Sequence, residues 1–426
     1  MLVFFMAIGI PFGFSQNWIL QEVAQLPEPV ANNAVCEGFD GTTPFVYSFA
    51  GIDSTLHSSG IHLKSWRFNT QTLQTEPLPD LPDTLGKVAC GASRVGDIIY
   101  IFGGYHVFPN GDEISSDRVH RYHTQTNTFL SDGAAIPVPI DDHVQAVYKD
   151  SLIFLVTGWS NTGNVNDVQI YNTYTNSWQV GTETPNNSRY KCFGASGEIM
   201  GDTLYYFGGA AGFNFAAQTE LRKGYINPNN PTEISWSFTE PDPNLTTYRA
   251  ATCVAGNAVH WLGGSNVTYN YNGIAYNGSG LVSPAEQVAY LHPSFSGWGS
   301  ESLTNLPMDL RGIGNVTDTR KYLMGGIGNN GEVSSSVLQL DYEGSLSVDD
   351  KSEKDEFVVY PNPSNGLVVI NLEGRLSILN QLGKLQLEMN VTANEQVDLN
   401  MLTSGLYHVR LIRENGETLT TKLILQ

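Results

Sequence analysis

The sequence predicts an all-β protein: a six-bladed β-propeller closed by its own N-terminal strand, followed by a small C-terminal β-sandwich. Three observations carry this. Six short apolar runs ending in glycine recur between residues 46 and 326. A tryptophan strand and a Leu-Pro pair near the start of the chain supply what the last copy lacks. Beyond residue 356 the hydrophobic pattern alternates with period two to the C-terminus, the mark of half-buried strands.

Residues 1–15 read MLVFFMAIGIPFGFS. An apolar run followed by small residues, with Gly13 and Ser15 before the cut, makes residues 1–16 an expected secretory signal peptide, although no basic segment precedes it. The run is too short to cross a bilayer comfortably. No other segment is long and apolar enough for a membrane helix, so an integral membrane protein is not expected. The net charge is −20. Residues 1–342 hold 15 basic and 30 acidic residues, and the rest hold 7 and 12. An acidic chain without basic runs excludes nucleic acid as an expected partner.

The repeat begins with VYSFAG (46–51) and continues as IYIFGG (99–104), IFLVTG (153–158), LYYFGG (204–209), VHWLGG (259–264) and KYLMGG (321–326). Their final glycines are 53, 54, 51, 55 and 62 residues apart. Each run reads as a buried central strand. A variable loop follows, then a strand ending in an aromatic, as in FNTQT (68–72), YHTQT (122–126) and YNTYT (171–175). Seven residues after each aromatic stands an outer-strand residue, Thr75, Phe129 or Trp178; later copies stretch to Tyr225…Trp236 and Tyr290…Trp298. Four strands in about 53 residues make a propeller blade. The sixth copy ends at SSVLQLDYEG without its tryptophan strand. Trp18-Ile19-Leu20 stands eight residues before Leu26-Pro27, as Trp298 stands before Leu306-Pro307. The first strand of the mature chain is therefore expected to be the last strand of blade six, which removes two open sheet edges.

On these glycine runs, the Tyr-to-Trp spacing and the split last blade, residues 17–342 resemble the Kelch-type β-propellers. Blade one departs from the pattern with Ala50-Gly51 and no tryptophan, and blade three with Thr157-Gly158.

Cys36, Cys90, Cys192 and Cys253 all precede a glycine run at near-equivalent places. Repetition argues for small buried hydrophobes; a cross-blade disulfide such as Cys36–Cys90 is the competing reading for an exported chain. No CxxC spacing points to zinc. His120 and His123 face opposite sides of a strand, and His57, His62 and His106 sit in loops. The copper chemistry of some Kelch-type enzymes would need converging Tyr and His ligands with a Tyr–Cys cross-link, and no residue set marks one. No metal, no cofactor and no catalytic residue is assigned.

One regularity points to a binding site. Arg249 and Arg311 each lie 13 residues after a blade tryptophan, Arg189 lies 11 after Trp178, and Lys87 lies 12 after Thr75. Asp142 and His143 take the place in blade three, and Ala31 in blade one. The Kelch resemblance implies that basic residues here start the inner strand and face one mouth of the channel. Lys87, His143, Arg189, Arg249 and Arg311 are thus expected to form a basic bowl, with Tyr105 and Trp159 among the aromatics of the loops above it. Arg forks suit carboxylate or sulfate, so an acidic glycan or a protein is the expected ligand. These groups could instead lock neighbouring blades together.

Residues 343–356 (EGSLSVDDKSEKDE) read as an acidic linker. VYPNPSNG (359–366) follows, with Asn365-Gly366 as a hairpin signal, and then LVVINL, LSILNQLGKLQL, EQVDLN, GLYHVRLI and TTKLILQ as strands. Through YPNP-x-NG, LNQLGK, LNMLTSGLYHVRL and the terminal KLILQ, residues 357–426 resemble the type A C-terminal sorting domain of the type IX secretion system of Bacteroidetes. That resemblance implies Sec passage, recognition by the type IX machinery through residues 357–426, and a secreted or cell-surface destination. The expected role is non-catalytic binding of a glycan or protein there. The alternative is a carbohydrate-active propeller enzyme, such as a sialic acid mutarotase or epimerase, since those enzymes look like six-bladed Kelch propellers.

Overall fold

The computed structural model describes residues 16–239, 242, 244–293, 297–344, 357, 359–380, 384–413 and 418–426. The leader read over 1–16, save Gln16, and most of the linker read over 343–356 lie outside them. Residues 343 and 344 still belong to the strand Ser336–Gly344. The chain divides into two compact units at residues 344/345.

The first unit is six antiparallel sheets around an axis. From the inner strand outward, blade one is Ala34–Asp40, Thr43–Ile52, Ile61–Asn69 and Gln74–Leu78. Blade two is Val88–Val95, Ile98–Val107, Val119–His123 and Thr128–Phe129, with Glu113–Ser115 paired to its second strand. Blades three, four and five begin at Val144, Ser196 and Ala251 and follow the same plan. Blade six is Arg311–Asn315, Arg320–Met324, Ser336–Gly344 and, as its outer strand, Gln16–Gln25. Trp18 faces Tyr342 across that last pair, so the N-terminal strand closes the ring as the split pattern predicts. Blades six and one are also joined edge to edge: Ala34–Cys36 runs parallel to Arg311–Ile313. Gly312 permits this, because a Cβ there would lie 2.0 Å from the Val35 carbonyl oxygen.

The paired glycines have a definite task. In every blade the second glycine donates its N–H to a carbonyl of the following blade: Gly51 to Lys87, Gly104 to Ile140, Gly158 to Cys192, Gly209 to Thr247, Gly264 to Pro307 and Gly326 to Val30, at 2.8–3.2 Å. The first glycine makes the approach possible. A Cβ at Gly103, Gly208 or Gly325 would meet the same carbonyl oxygen at 2.0–2.1 Å. Blade three uses Thr157 there, left-handed at φ 49°, and its hydroxyl donates to Val165 O and accepts from Cys192 N. The repeat is thus the trace of one inter-blade hydrogen bond made six times.

The aromatic of the third strand lies opposite the outer-strand residue in blades one, two, three and six: Phe68 with Thr75, Tyr122 with Phe129, Tyr171 with Trp178, Tyr342 with Trp18. Blade five slips by one, with Leu291 rather than Tyr290 opposite Trp298, and so does blade four. Gly224, not Tyr225, opposes Trp236, the indole lies over the glycine, and Tyr225 turns outward and is exposed. A one-residue slip exchanges the faces of a strand.

The four cysteines are free and buried, each facing a neighbouring blade's apolar side chains. Burial raises their pKa values, to about 12 for Cys90 and Cys253.

The second unit is a two-sheet sandwich. Val359–Tyr360, Leu367–Ile370 and Glu395–Asp398 form one sheet; Leu385–Val391, Gly374–Asn380, Gly405–Ile412 and Thr418–Leu425 form the other. Val368, Ile378, Val397, Val409, Leu411 and Leu423 fill the space between them, following the period-two alternation.

Candidate functional site

At the start of each inner strand stands one residue in the left-handed region: Asn32, Ala89, Asp142, Gly194, Arg249 and Asp309, with φ of 46–66°; Ala89 is the second residue of its strand and the others precede theirs. These six are equivalent by position. Their backbones form a closed ring in which Asn32 N donates to Asp309 O, Ala89 N to Asn32 O, Asp142 N to Ala89 O, Gly194 N to Asp142 O and Arg249 N to Gly194 O. Leu310 N to Arg249 O completes it. The left-handed turn aims the side chains inward, and three of them are charged.

Arg249 plugs the axis. Its Nε and Nη2 donate to the two oxygens of Asp142 at 3.1 and 2.6 Å, and its Nη1 to Asp309 at 3.0 Å. The guanidinium also lies 5.1 and 5.4 Å from the ring centres of Tyr248 and Tyr269. Arg311 Nη1 reaches Asp142 at 3.5 Å, and its Nη2 donates to the His143 carbonyl at 2.8 Å. All four side chains are buried. Burial works against the charge of Arg249, but Asp142 above all, with Asp309, holds it well above its ordinary pKa. Burial lifts Asp309 to about 6 although Arg249 pulls it down.

The predicted bowl residues therefore divide among three places. Arg249 and Arg311 meet at the axis, with His143 beside them. His143 Nε2 lies 2.9 Å from Gln145 Oε1, and burial, with Arg311, lowers its pKa to about 4. Lys87 is buried at the junction of blades one and two, against Asp83 at 2.6 Å and Ser116 at 3.0 Å. Arg189 is half-exposed, stacked on Phe238 at 4.1 Å with Glu220 at 3.7 Å. Counting from the outer strand fails because the connecting loops differ in length. The structural equivalent of Arg249 in blade six is Asp309, two residues before Arg311. Counting back from the second glycine does better: Ala89, Gly194 and Arg249 each precede it by 15 residues.

The plug separates two cavities. One, of about 370 Å³, is walled by inner strands of all six blades and includes Glu37, Arg94, Gln145, Glu198 and Arg311. Burial raises Glu198 from 4.5 to about 7. The other, of about 200 Å³, lies on the side of the loops that link second and third strands. Tyr105 and Trp159, both predicted, line it together with Phe193, Phe215 and Tyr276. Trp159 and Phe193 are 5.3 Å apart between ring centres, Trp159 and Phe215 5.5 Å, and Phe215 and Tyr276 4.8 Å.

Of the polar lining of this second cavity, the sequence points only to Asp142, through its place in blade three. Glu113, Asp141, Asp142 and Asn270 face it, with no lysine or arginine among the described lining residues. Asp141 accepts from the Ser115 hydroxyl at 2.6 Å. Burial and then Asp142 raise its pKa well above the ordinary carboxylate range, and burial shifts Glu113 the same way. The bowl above the plug is aromatic and acidic rather than basic. Asp141 was legible as the residue before the ring position; Glu113 was not, because it reaches the axis on an extra hairpin of blade two.

Residues 358–426 match the family described as the secretion system C-terminal sorting domain. The propeller region is similar to Kelch-like protein 15 of Homo sapiens, at 23% identity over 310 residues, covering 70% of this chain and 46% of that protein. It is also similar to Kelch-like protein 15 of Danio rerio (24% over 317 residues) and Kelch-like protein 36 of Mus musculus (24% over 174 residues). The chain thus spans about half the length of the Kelch-like protein 15 relatives. Among solved structures, "Structure of YjhT" superposes with a TM-score of 0.58 at 16% identity, over 74% of this chain and 95% of that one. The chain joins a Kelch-type β-propeller to a type IX secretion sorting domain. The sorting domain directs the propeller through the type IX system to the cell surface or the medium. Among the described residues no helix is long and apolar enough to cross a membrane.

Proposed function

We propose that the Kelch-type propeller is a binding module working outside the cell, and that it takes one residue of a glycan into the cavity beneath its loops. The carrying observation is the cavity itself: about 200 Å³, walled by Tyr105, Trp159, Phe193, Phe215 and Tyr276, with carboxyl groups at its base and rim. Ligand sites combine apolar walls with a few placed polar groups, and aromatic faces pack against the C–H face of a sugar. The guanidiniums that favoured an acidic ligand are committed to Asp142, Asp309 and the His143 carbonyl, and Lys87 and Arg189 belong to other places.

The test is a glycan array probed with the propeller and with a Trp159→Ala/Phe215→Ala variant of unchanged melting temperature. Binding that the variant loses supports the reading; binding indifferent to both residues rejects it. An enzymatic reading has one observation in its favour. Asp141 is a buried carboxyl beside the cavity whose pKa burial and Asp142 raise, the direction a general acid needs. Turnover of a sugar bound on the array, lost in Asp141→Asn, would make the module an enzyme.

A further inference from the structure

We infer that the group seated in the loop-side cavity is a protonated amine, carried by an unacetylated amino sugar. This deepens the binding reading above and rests on it.

Charge balance is the first argument. Glu113, Asp141 and Asp142 line the cavity and Asp309 lies in the plug beneath. Arg249 is paired with Asp142 and Asp309, and Arg311 with Asp142, and neither guanidinium lines the cavity. The cavity is therefore lined by more acid than base, with Asp141 and Asp142 buried and Glu113 exposed. An anionic group entering it would meet uncompensated carboxyls, which is a strong selection against acidic ligands. A cation would complete the set.

The walls are the second argument. Trp159, Phe193 and Phe215 stand mutually at 66–86° between ring planes, with centres 5.3–5.5 Å apart, and Phe215 meets Tyr276 at 61°. Rings set nearly at right angles form adjoining walls of a box. Aromatic faces attract ammonium groups through the ring quadrupole, the more strongly when water is excluded. Aromatic walls alone would suit any apolar group, and carboxyls alone would suit a metal or water. The two together select an organic cation.

The unusual protonation of the site agrees. Asp141 is pushed well above the ordinary range by burial, by Asp142 and by Glu113. An unoccupied acidic site stores its excess charge as protons, and a bound ammonium releases them. The choice of amino sugar follows from the mixture of aromatic walls, which take a sugar face, and lining carboxyls, which take its ammonium.

The experiment is calorimetry of the full chain with two matched pairs. One is the glucosamine disaccharide and its N-acetylated counterpart. The other is Nα-acetyl-lysine methylamide and its Nε-acetylated form. The expected result is that the charged disaccharide binds at least tenfold more tightly than the acetylated one. Glu113→Gln and Asp141→Asn, the latter keeping an oxygen for the Ser115 hydroxyl, should erase that difference without lowering the melting temperature. Equal or better binding of the acetylated disaccharide, lost in Trp159→Ala, overturns the amine and leaves the glycan-binding reading standing. Preference for the charged lysine probe over both sugars overturns the amino sugar as source. No binding of any probe, with an array that is silent as well, rejects both this inference and the reading beneath it.

Discussion

Arg249 of blade five donates to both carboxylate oxygens of Asp142 in blade three, at 3.1 and 2.6 Å, across the axis of the propeller. The pair is buried, and Asp309 of blade six adds a third bond. This is a lock between non-adjacent blades, built on residues that also carry the backbone ring.

Removing one partner of such a cluster is worse than removing all of it, because a buried charge is left without its counterion. Arg249→Met should therefore destabilise the propeller by about 3–5 kcal/mol. The double variant Arg249→Met/Asp309→Asn, which leaves Asp142 paired with Arg311, should recover a substantial part of that loss. Urea unfolding monitored by tryptophan fluorescence measures both. A double variant no more stable than the single one would show that the charges do not act as a unit.

Ring closure rests on Trp18. Its side chain is buried, its indole lies 5.0 Å from Tyr342 and 5.2 Å from His260, and Nε1 donates to His260 Nδ1 at 3.3 Å. Trp18→Ala should cost about 3–5 kcal/mol through the cavity it leaves. Ile19→Ala, on the exposed face of the same strand, should change little. Equal melting temperatures for the two variants would contradict closure through this strand.

The thiols give a simple chemical check. All four are buried and unpaired, and burial raises their pKa values, so little thiolate is available to react. Native protein should not colour Ellman's reagent within minutes, whereas guanidinium-denatured protein should release four equivalents. A count of two after denaturation without reductant would establish a disulfide instead.

The glycine runs, the closing strand, the plug and the cavity differ in how visible they are in the sequence. The six glycine runs are visible because each must admit one carbonyl of the next blade, and only a residue tolerant of positive φ does so. Trp18 is visible because its partner copy, Trp298, keeps the same distance to a Leu-Pro pair. The plug is only half visible. Arg249 stands out, but its partners Asp142 and Asp309 come from blades whose loops differ in length, so a count from the outer strand pairs it wrongly with Arg311. The cavity above is least visible: Glu113, Phe215 and Tyr276 arrive on insertions of blades two, four and five that differ from one another. What repeats is backbone geometry, and what binds is inserted between the repeats.

Glu198 offers a test of the chamber on the other side of the plug. Its carboxyl is raised from 4.5 to about 7 by burial among the inner strands. Between those two values the folded protein holds a proton there that the unfolded chain has released. Stability is therefore expected to fall as pH rises from about 4.5 to 7 on account of this group, and to level off above it. Glu198→Gln removes the titration. The difference in unfolding free energy between Glu198→Gln and the parent should grow in favour of the variant across that window and stay constant from pH 8 upward. Urea melts at half-unit pH steps measure the difference directly. A constant difference from pH 4 to 8 would mean that Glu198 titrates alike in both states, and that water fills the chamber freely enough to solvate its charge.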